Sequence, residues 1–124
     1  MVIDTGIFIE HLRAKDKLHT TLYLLPENID LFVSSVSMYE LYMGATTKEK
    51  ENDIRIITED LQILPFTNTV AFQAAQLYHQ LKKQNKLIEF RDIFIAATCI
   101  VNDLPHVTLN KKHFNRIESL KLVL

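Results

Sequence analysis

Short apolar segments alternate with longer helical patterns along this chain, and this alternation restricts its fold more than any other feature. The strand-like segments are residues 1–3, 31–34, 62–65 and 106–108. Strands separated by helices predict βαβ units and therefore a parallel sheet. Right-handed crossovers then bring the C-terminal ends of the strands to one edge of that sheet. We expect an α/β fold with a short, mainly parallel sheet of four to five strands, in which residues 121–124 are the candidate edge strand.

Seven segments show the spacing of apolar side chains that is typical of helices. They are residues 6–13, 14–25, 35–43, 46–60, a long segment that begins within 67–69 and ends near Lys83, 93–103 and 111–114. Ser35 or Ser37 is expected to cap the third of these helices, and Gly44 to follow its end. Helix 93–103 is apolar on most sides, so we expect it to lie centrally in the fold.

Size, charge and cysteine usage limit the kinds of protein that this chain can be. Its 124 residues predict a single domain over residues 1–124. The net charge of −1 excludes a basic field over the whole surface, so nucleic acid would have to be bound through local cations or metal ions. The one cysteine, Cys99, excludes an internal disulfide and fits a reducing compartment. Because acids interrupt the apolar start and no apolar run reaches the ~20 residues of a membrane span, we expect a cytoplasmic protein without a signal peptide.

Three acidic residues and one amide stand at comparable places in the predicted fold. Asp4 follows the first strand, Glu40 lies on the helix after the second, Asp92 begins a helix, and Asn110 follows the fourth strand. Asp4 and Asp92 could instead be ordinary helix N-caps. Glu40 has apolar neighbours on both sides in the sequence, which favours a cleft over a fully solvated position. Ligands of open α/β sheets bind outside the carboxyl ends of the strands, where Asp4 and Asn110 are expected.

Carboxylates that lie together at one edge of a sheet favour the binding of a divalent cation. They repel each other, and one of them takes up a proton unless a cation lies between them. Hard oxygen ligands favour Mg²⁺ or Mn²⁺, and Mg²⁺ keeps several waters when one or two carboxylates bind it. Such an ion lowers the pKa of a bound water and offsets the charge on a phosphate. The pattern therefore suggests metal-assisted hydrolysis of phosphodiesters.

Four segments resemble the motif blocks of one enzyme family. They are VIDTGIFIEHL (2–12), SSVSMYELYMGA (34–45), RDIFIAATC (91–99) and LPHVTLNKKHF (104–114). Their order and spacing resemble those of PIN-domain ribonucleases, in particular the VapC-type toxins of bacterial and archaeal toxin–antitoxin pairs. The resemblance covers essentially the whole chain and implies a PIN-like fold of three α/β/α layers.

The resemblance also implies roles for individual residues. Asp4, Glu40 and Asp92 match the three metal-binding acids of the family, with Asp4 and Asp92 as the main ligands. Glu40 would bind the metal through water or position the attacking water. Asn110 stands where many members have Asp, and its neutral oxygen would hold a second metal less firmly. The catalytic set that the resemblance implies is therefore Asp4, Glu40, Asp92 and Asn110.

Three further residues are expected to support this set. Thr5 and Thr108 match small hydroxyl positions that flank the site in the family. Arg91, next to Asp92, could contact a phosphate, tune Asp92 or be an ordinary surface residue. Lys111 and Lys112, which follow Asn110, are compatible with phosphate contacts and equally with a solvated turn. The family further implies Mg²⁺ or Mn²⁺ as cofactor, RNA as substrate, a homodimer and a cognate antitoxin.

Other classes of protein share fragments of this pattern. Residues 4–6 spell the DTG of aspartic proteases, but those enzymes are almost all strand. The five histidines lack the paired spacing of zinc ligands, so no zinc site is expected. The alternative that remains is a non-catalytic module that kept the PIN fold in order to bind a partner. We expect such a module to show neither metal dependence nor toxicity when it is expressed without its partner.

Overall fold

The computed structural model describes residues 1–123. Its strands are β1 (Val2–Ile3), β2 (Phe32–Ser34), β3 (Gln62–Leu64) and β4 (His106–Val107). The helices are α1 (Thr5–Arg13), α2 (Thr21–Leu24), α3 (Ser35–Gly44), α4 (Lys48–Thr58), α5 (Asn68–Lys83), α6 (Phe90–Val101) and α7 (Lys111–Phe114), and a 3₁₀ turn covers Lys17–His19. None of the helices within these residues is long and apolar enough to cross a membrane.

The strands form one parallel sheet in the order β3-β2-β1-β4. Val2 is paired with Phe32 on one side and with His106 on the other, so β1 is central. The predicted parallel sheet is confirmed with four strands. The expected edge strand at 121–124 is reduced to a parallel bridge between His106 and Leu122, and Leu124 lies outside the described residues.

Helices cover both faces of the sheet, as the three-layer prediction requires. Successive residues of a strand point to opposite faces, so Val2 and Ile3 enter different cores. Val2 packs with a cluster from α5, α6 and the C-terminal segment that includes Leu77, Ala96 and Phe114. Ile3 packs with a cluster from α1, α3 and α4 that includes Phe8, Leu41 and Ile54. The two-residue strand β1 therefore joins both cores and fixes the position of Asp4, the residue that follows it.

Helix α6 is buried on most of its sides, which confirms that it is central. Its buried residues are Ile93, Ile95, Ala96, Ala97, Thr98 and Cys99. Burial raises the pKa of Cys99 to about 12. The thiol is therefore a packing group without reactivity at neutral pH.

The single helix predicted over residues 14–25 is wrong. The structure has a 3₁₀ turn and the short helix α2 instead, and the extended backbone of Thr20 separates them. Asp16 accepts a hydrogen bond from the backbone of Leu18, and the Thr20 hydroxyl accepts one from the backbone of Tyr23. These local bonds compete with a continuous helix. Leu18 is consequently 58% exposed, although its spacing predicted a buried stripe.

Two predicted helix boundaries also differ from the structure. Ser34, and neither Ser35 nor Ser37, caps α3, because its hydroxyl accepts a hydrogen bond from the Ser37 backbone at 3.0 Å. Gly44 is the last residue of α3 and does not follow its end. The long helix begins within residues 67–69 as expected, and of the candidate caps Thr67, Asn68 and Thr69 it is Thr67 that caps α5, because its hydroxyl accepts a hydrogen bond from the Val70 backbone.

Candidate metal centre

Asp4 lies where β1 ends, and it is 7% exposed. Its backbone N–H donates to the Val107 carbonyl, so the sheet ladder fixes its position. Asp4 occupies the N-cap position of α1, but its side chain makes no capping hydrogen bond. The carboxylate is turned towards β4 instead, where the Thr108 hydroxyl donates to Oδ2 at 2.6 Å. Capping therefore does not explain this acid.

Thr108 connects Asp4 to the segment that follows β4. Besides donating to Asp4, its hydroxyl accepts a hydrogen bond from the Asn110 backbone at 2.9 Å. The Asn110 side-chain amide lies 2.9 Å from Nδ1 of His113. The structure thus brings Thr108 and Asn110 to the same end of the sheet as Asp4.

Glu40 is held from the other side, by the first turn of α1. The Thr5 hydroxyl lies 2.8 Å from Oε1 of Glu40 and 2.8 Å from the Ser37 hydroxyl. Because an ionised carboxylate only accepts, the Thr5 proton is donated to Glu40. Arg91 Nε lies 3.9 Å from the other oxygen of Glu40 and 3.1 Å from Glu89. Thr5 and Arg91 therefore both meet Glu40, which is half-buried.

Asp92 is the third acid, and α6 positions it. Glu89 caps this helix by accepting a hydrogen bond from the Arg91 backbone, so the N-cap alternative for Asp92 is wrong. The pKa of Asp92 is raised to about 6, first by burial and then by the carboxylates of Asp4, Glu89 and Glu40. Asp92 thus lies within the electrostatic influence of both Asp4 and Glu40, and we call these three residues the acid centre.

The donors of the acid centre fit a hydrated divalent cation. Within residues 1–123 no group of three or more His, Cys, Asp or Glu side chains is arranged as a ready-made metal cage. Mg²⁺ takes only one or two protein carboxylates and keeps its waters. Thr5 and Arg91 already contact the two oxygens of Glu40, which fits a Glu40 that acts through water, whereas Asp4 and Asp92 are the candidates for direct ligands. A cation between them would remove the repulsion that raises the pKa of Asp92.

His106 also lies at this site, although no motif in the sequence marks it. The side chain is completely buried, with its ring edge against Phe114. Nδ1 lies 3.2 Å from the Val2 carbonyl and therefore carries the donated proton. Nε2 lies 3.6 Å from Oδ1 of Asp4 and has no hydrogen-bond partner among the described residues. The available signal was strand alternation, which places residue 106 on the same face as Thr108.

Comparison with known proteins identifies the family. The PIN domain family matches residues 1–120. The chain belongs to the PIN-domain family. This PIN domain is 31% identical to ribonuclease VapC10 of Mycobacterium tuberculosis over 121 residues, which are 98% of the chain and 90% of that protein. It is 27% identical to ribonuclease VapC1 of Methanocaldococcus jannaschii, over 98% of the chain and 84% of that protein.

Solved structures resemble this PIN domain along its whole length. VapBC2 from Rickettsia felis, bound to a promoter DNA fragment, superposes with a TM-score of 0.86 at 27% identity. That match covers 98% of the chain and 96% of the solved chain. FitAcB from Neisseria gonorrhoeae superposes with a TM-score of 0.81 at 25% identity, over 98% and 96%. The fold expected from the resemblance is confirmed.

Proposed function

We propose that this PIN domain is a metal-dependent endoribonuclease and the toxin of a type II toxin–antitoxin pair. It would hydrolyse RNA phosphodiester bonds, and so inhibit translation and growth, until its antitoxin binds. The observation that carries the proposal is the position of Asp4 at the end of β1, where its buried carboxylate makes no capping bond and accepts a 2.6 Å hydrogen bond from Thr108. The carboxylates of Asp4 and Glu40 both raise the pKa of Asp92, which supports a shared site for the three acids. The similarity to ribonucleases VapC10 and VapC1 over 98% of the chain supports the same activity.

Asp4 and Asp92 would hold one Mg²⁺ or Mn²⁺ ion, with Glu40 acting through water and the Asn110 amide completing the set. When bound, the ion lowers the pKa of a water and neutralises charge on the phosphate. Thr108 fixes the Asp4 carboxylate, and Thr5 fixes Glu40 for positioning the attacking water. The guanidinium of Arg91 has donors beyond those used by Glu89 and would contact the substrate phosphate.

Asp4→Asn tests the activity, because it removes one charge and keeps the shape of the side chain. We expect RNA cleavage to fall by more than about a hundredfold, the loss typical of a removed charge-stabilising group, with an unchanged circular dichroism spectrum. Asp103→Asn is the matched control, since Asp103 is an exposed acid paired with Lys121. Full cleavage by Asp4→Asn, insensitive to EDTA, would contradict the proposal.

A groove beside the acid centre suits an antitoxin segment. It has a volume of about 520 Å³ between α1, α3 and α4, and Glu40 lies on its wall. Its apolar lining comes from Ile9, Leu12, Leu41, Ala45 and Ile54. The solved neighbours are VapBC complexes, which supports an antitoxin partner of this chain. Leu12→Glu should abolish co-purification with the protein encoded in the adjoining reading frame, whereas Leu18→Glu, on the exposed 3₁₀ turn, should not.

We also propose that the chain forms a homodimer through an aromatic surface lined by residues of α3, α5 and α6. The aromatic surface consists of Tyr39, Phe66, Tyr78, Phe90 and Phe94, which line two adjoining grooves. Phe66 and Phe90 each pack edge-on against Phe94, and Phe90 remains 59% exposed. Exposed apolar surfaces of this kind mark protein contacts. Phe90→Ser should shift the mass measured by light scattering from dimer to monomer, and Phe72→Ser, an exposed change elsewhere on α5, should leave it unchanged.

The non-catalytic alternative is favoured by one observation, the lack of a ready-made cage of three ligands within residues 1–123. Calorimetric titration with Mn²⁺ separates the two functions. Binding that is lost in Asp92→Asn agrees with the nuclease. A flat titration of the wild-type protein, combined with tight antitoxin binding, would favour the module.

A further inference from the structure

The formal charges of this chain are divided unequally between its two halves. Residues 1–61 carry six Lys and Arg against eleven Asp and Glu, whereas residues 62–124 carry eight against four. Residues 61–88 and 104–117 contain no acid at all. The net charge of −1 therefore conceals an acidic half and a basic half. Asymmetry of this kind is typical of proteins that bind polyanions on one side.

The structure brings the acid-free segments together. Lys82 and Lys83 close α5, and Lys86 lies in the connector that follows. Lys111 and Lys112 begin α7, and Arg116 follows it. Nη1 of Arg116 donates to the Leu87 carbonyl at 2.9 Å, which ties the two segments to each other. We call the side chains of Lys82, Lys83, Lys86, Lys111, Lys112 and Arg116 the basic surface.

A groove of about 330 Å³ lies between these segments. Its polar lining includes Gln80, Gln84, Arg116 and Ser119, above a floor that includes Leu77 and Ile117. One acid, Glu118, also lines it. Amide and guanidinium donors over an apolar floor can bind sugar hydroxyls and phosphate oxygens.

Both segments lead directly to the acid centre. Lys111 follows Asn110, whose backbone is bonded to Thr108, the residue that holds Asp4. The connector that carries Lys86 continues through Glu89 into α6 and Asp92. The basic surface is thus attached to the acid centre at two points. A polyanion bound along it would follow these two connections towards Asp4 and Asp92.

Helix α4 provides the contrast. Lys48, Lys50 and Arg55 alternate there with Glu49, Glu51 and Asp53, so the two signs largely cancel. Cations near the end of a helix are favoured by its dipole, which would account for Lys82 and Lys83 alone. The dipole does not account for Lys111 and Lys112, because α7 is a single turn of four residues.

We propose that the basic surface binds the phosphates of the RNA strand that flanks the scissile bond. This inference rests on the proposed ribonuclease function. Because the acidic half repels RNA, substrate approaches over the basic half, and the phosphates beyond the reacting one neutralise its lysines. Contacts of this kind set affinity and register and do not select a base sequence.

The test measures the salt dependence of binding. The full chain carries Asp4→Asn in every arm to prevent turnover, and a labelled single-stranded 20-nucleotide RNA is titrated by fluorescence anisotropy at several KCl concentrations. The arms are the parent, K82Q/K83Q/K86Q, K111Q/K112Q, and the matched control K48Q/K50Q/R55Q on α4. All of these side chains are exposed, and thermal denaturation verifies that each variant is folded.

A plot of log K against log salt has a negative slope, and each lost phosphate contact reduces its steepness by ~0.7 for a single strand. We expect the slope to fall by about 2 in the α5 variant and about 1.4 in the α7 variant, with affinities reduced about tenfold at moderate salt. The α4 control should keep the parent slope. Unchanged slopes in both basic-surface variants, or an equal loss in the α4 control, would overturn the inference.

Cleavage by the wild-type protein separates this inference from the function on which it rests. If the wild-type protein cleaves RNA but the slopes of the basic-surface variants equal that of the parent, RNA binding by the basic surface is refuted and the ribonuclease function stands. Binding with the expected slopes, but with no metal-dependent cleavage of any RNA, refutes the nuclease and leaves an RNA-binding surface.

Discussion

Asp4 at the end of β1 and Asp92 at the start of α6 belong to the same candidate site but are held in different ways. Asp4 is fixed by the sheet ladder and accepts a 2.6 Å hydrogen bond from Thr108. Asp92 is placed by a helix, and its burial among other carboxylates outweighs the opposing effect of His106 and raises its pKa to about 6. We therefore expect the strand to supply a preorganised metal ligand, and the helix to supply a carboxylate whose repulsion by the other acids a cation would relieve.

Thr108→Val is expected to have the largest effect, and it tests how Asp4 is held at the end of β1. It keeps the side-chain shape but removes the donor to Asp4 and the acceptor of the Asn110 N–H. A buried hydrogen bond that is lost to a charged partner costs about 1–3 kcal/mol, so we expect that drop in unfolding free energy from urea titration, together with weaker cleavage. Thr98→Val is the control, because its hydroxyl bonds only to a carbonyl of its own helix. If the two changes had equal effects, Thr108 would act as an ordinary buried threonine, and the proposed fixing of Asp4 by Thr108 would be wrong.

Asp92→Asn tests how Asp92 is held at the start of α6, through the pH dependence of stability. The folded pKa of about 6 lies above the ordinary aspartate pKa of 3.8, so the folded protein binds more protons than the unfolded chain between these two values. Stability is therefore lost as pH rises from 3.8 to 6 and stays low above it. The difference corresponds to about 3 kcal/mol, which solvent screening of this half-buried group reduces to about 1 kcal/mol.

In metal-free buffer we therefore expect Asp92→Asn to be more stable than the parent by about 1 kcal/mol above pH 6, and equal to it below pH 3.8. Urea titrations across this range measure the difference. Asp60→Asn, an exposed acid after α4, should show no such pH dependence. A parent protein that gains stability between pH 4 and 6, relative to Asp92→Asn, would reverse the assignment.

Arg91→Gln is expected to have the smallest effect. The guanidinium lies between Glu89 and Glu40 and is about one-third exposed, so its loss should barely change the melting temperature. A phosphate contact at this position predicts a KM that rises several-fold while kcat stays nearly constant. Arg55→Gln on α4 is the control. A fall in kcat alone would instead assign Arg91 to the positioning of Glu40.

Much of the fold could be read from the sequence, because alternating strand and helix patterns depend on local apolar spacing. The helix predicted over 14–25 failed because Asp16 and Thr20 form local side-chain bonds that the spacing of leucines does not reveal. The cap of α6 was misplaced for a related reason. Glu89 and Asp92 are both acids near the helix start, and only the backbone dihedrals at Glu89 decide between them.

The candidate site was found through the resemblance more than through any single residue. Asp4, Glu40 and Asp92 lie on or directly after β1, α3 and α6, which are far apart in the sequence, so no short stretch of sequence contains all three. His106 has no motif of its own, and its place beside Asp4 follows from the register that pairs it with Val2. The amide at Asn110 was visible, but its contact with His113 depends on the turn into α7.

The division of charge between the halves has a consequence for the encounter with substrate. A molecule that is acidic on one side and basic on the other has a large permanent dipole moment. The field of an approaching nucleic acid rotates such a molecule before contact, so collisions become productive more often than random orientation allows. Association should consequently slow with added salt even where the bound complex has the same contacts.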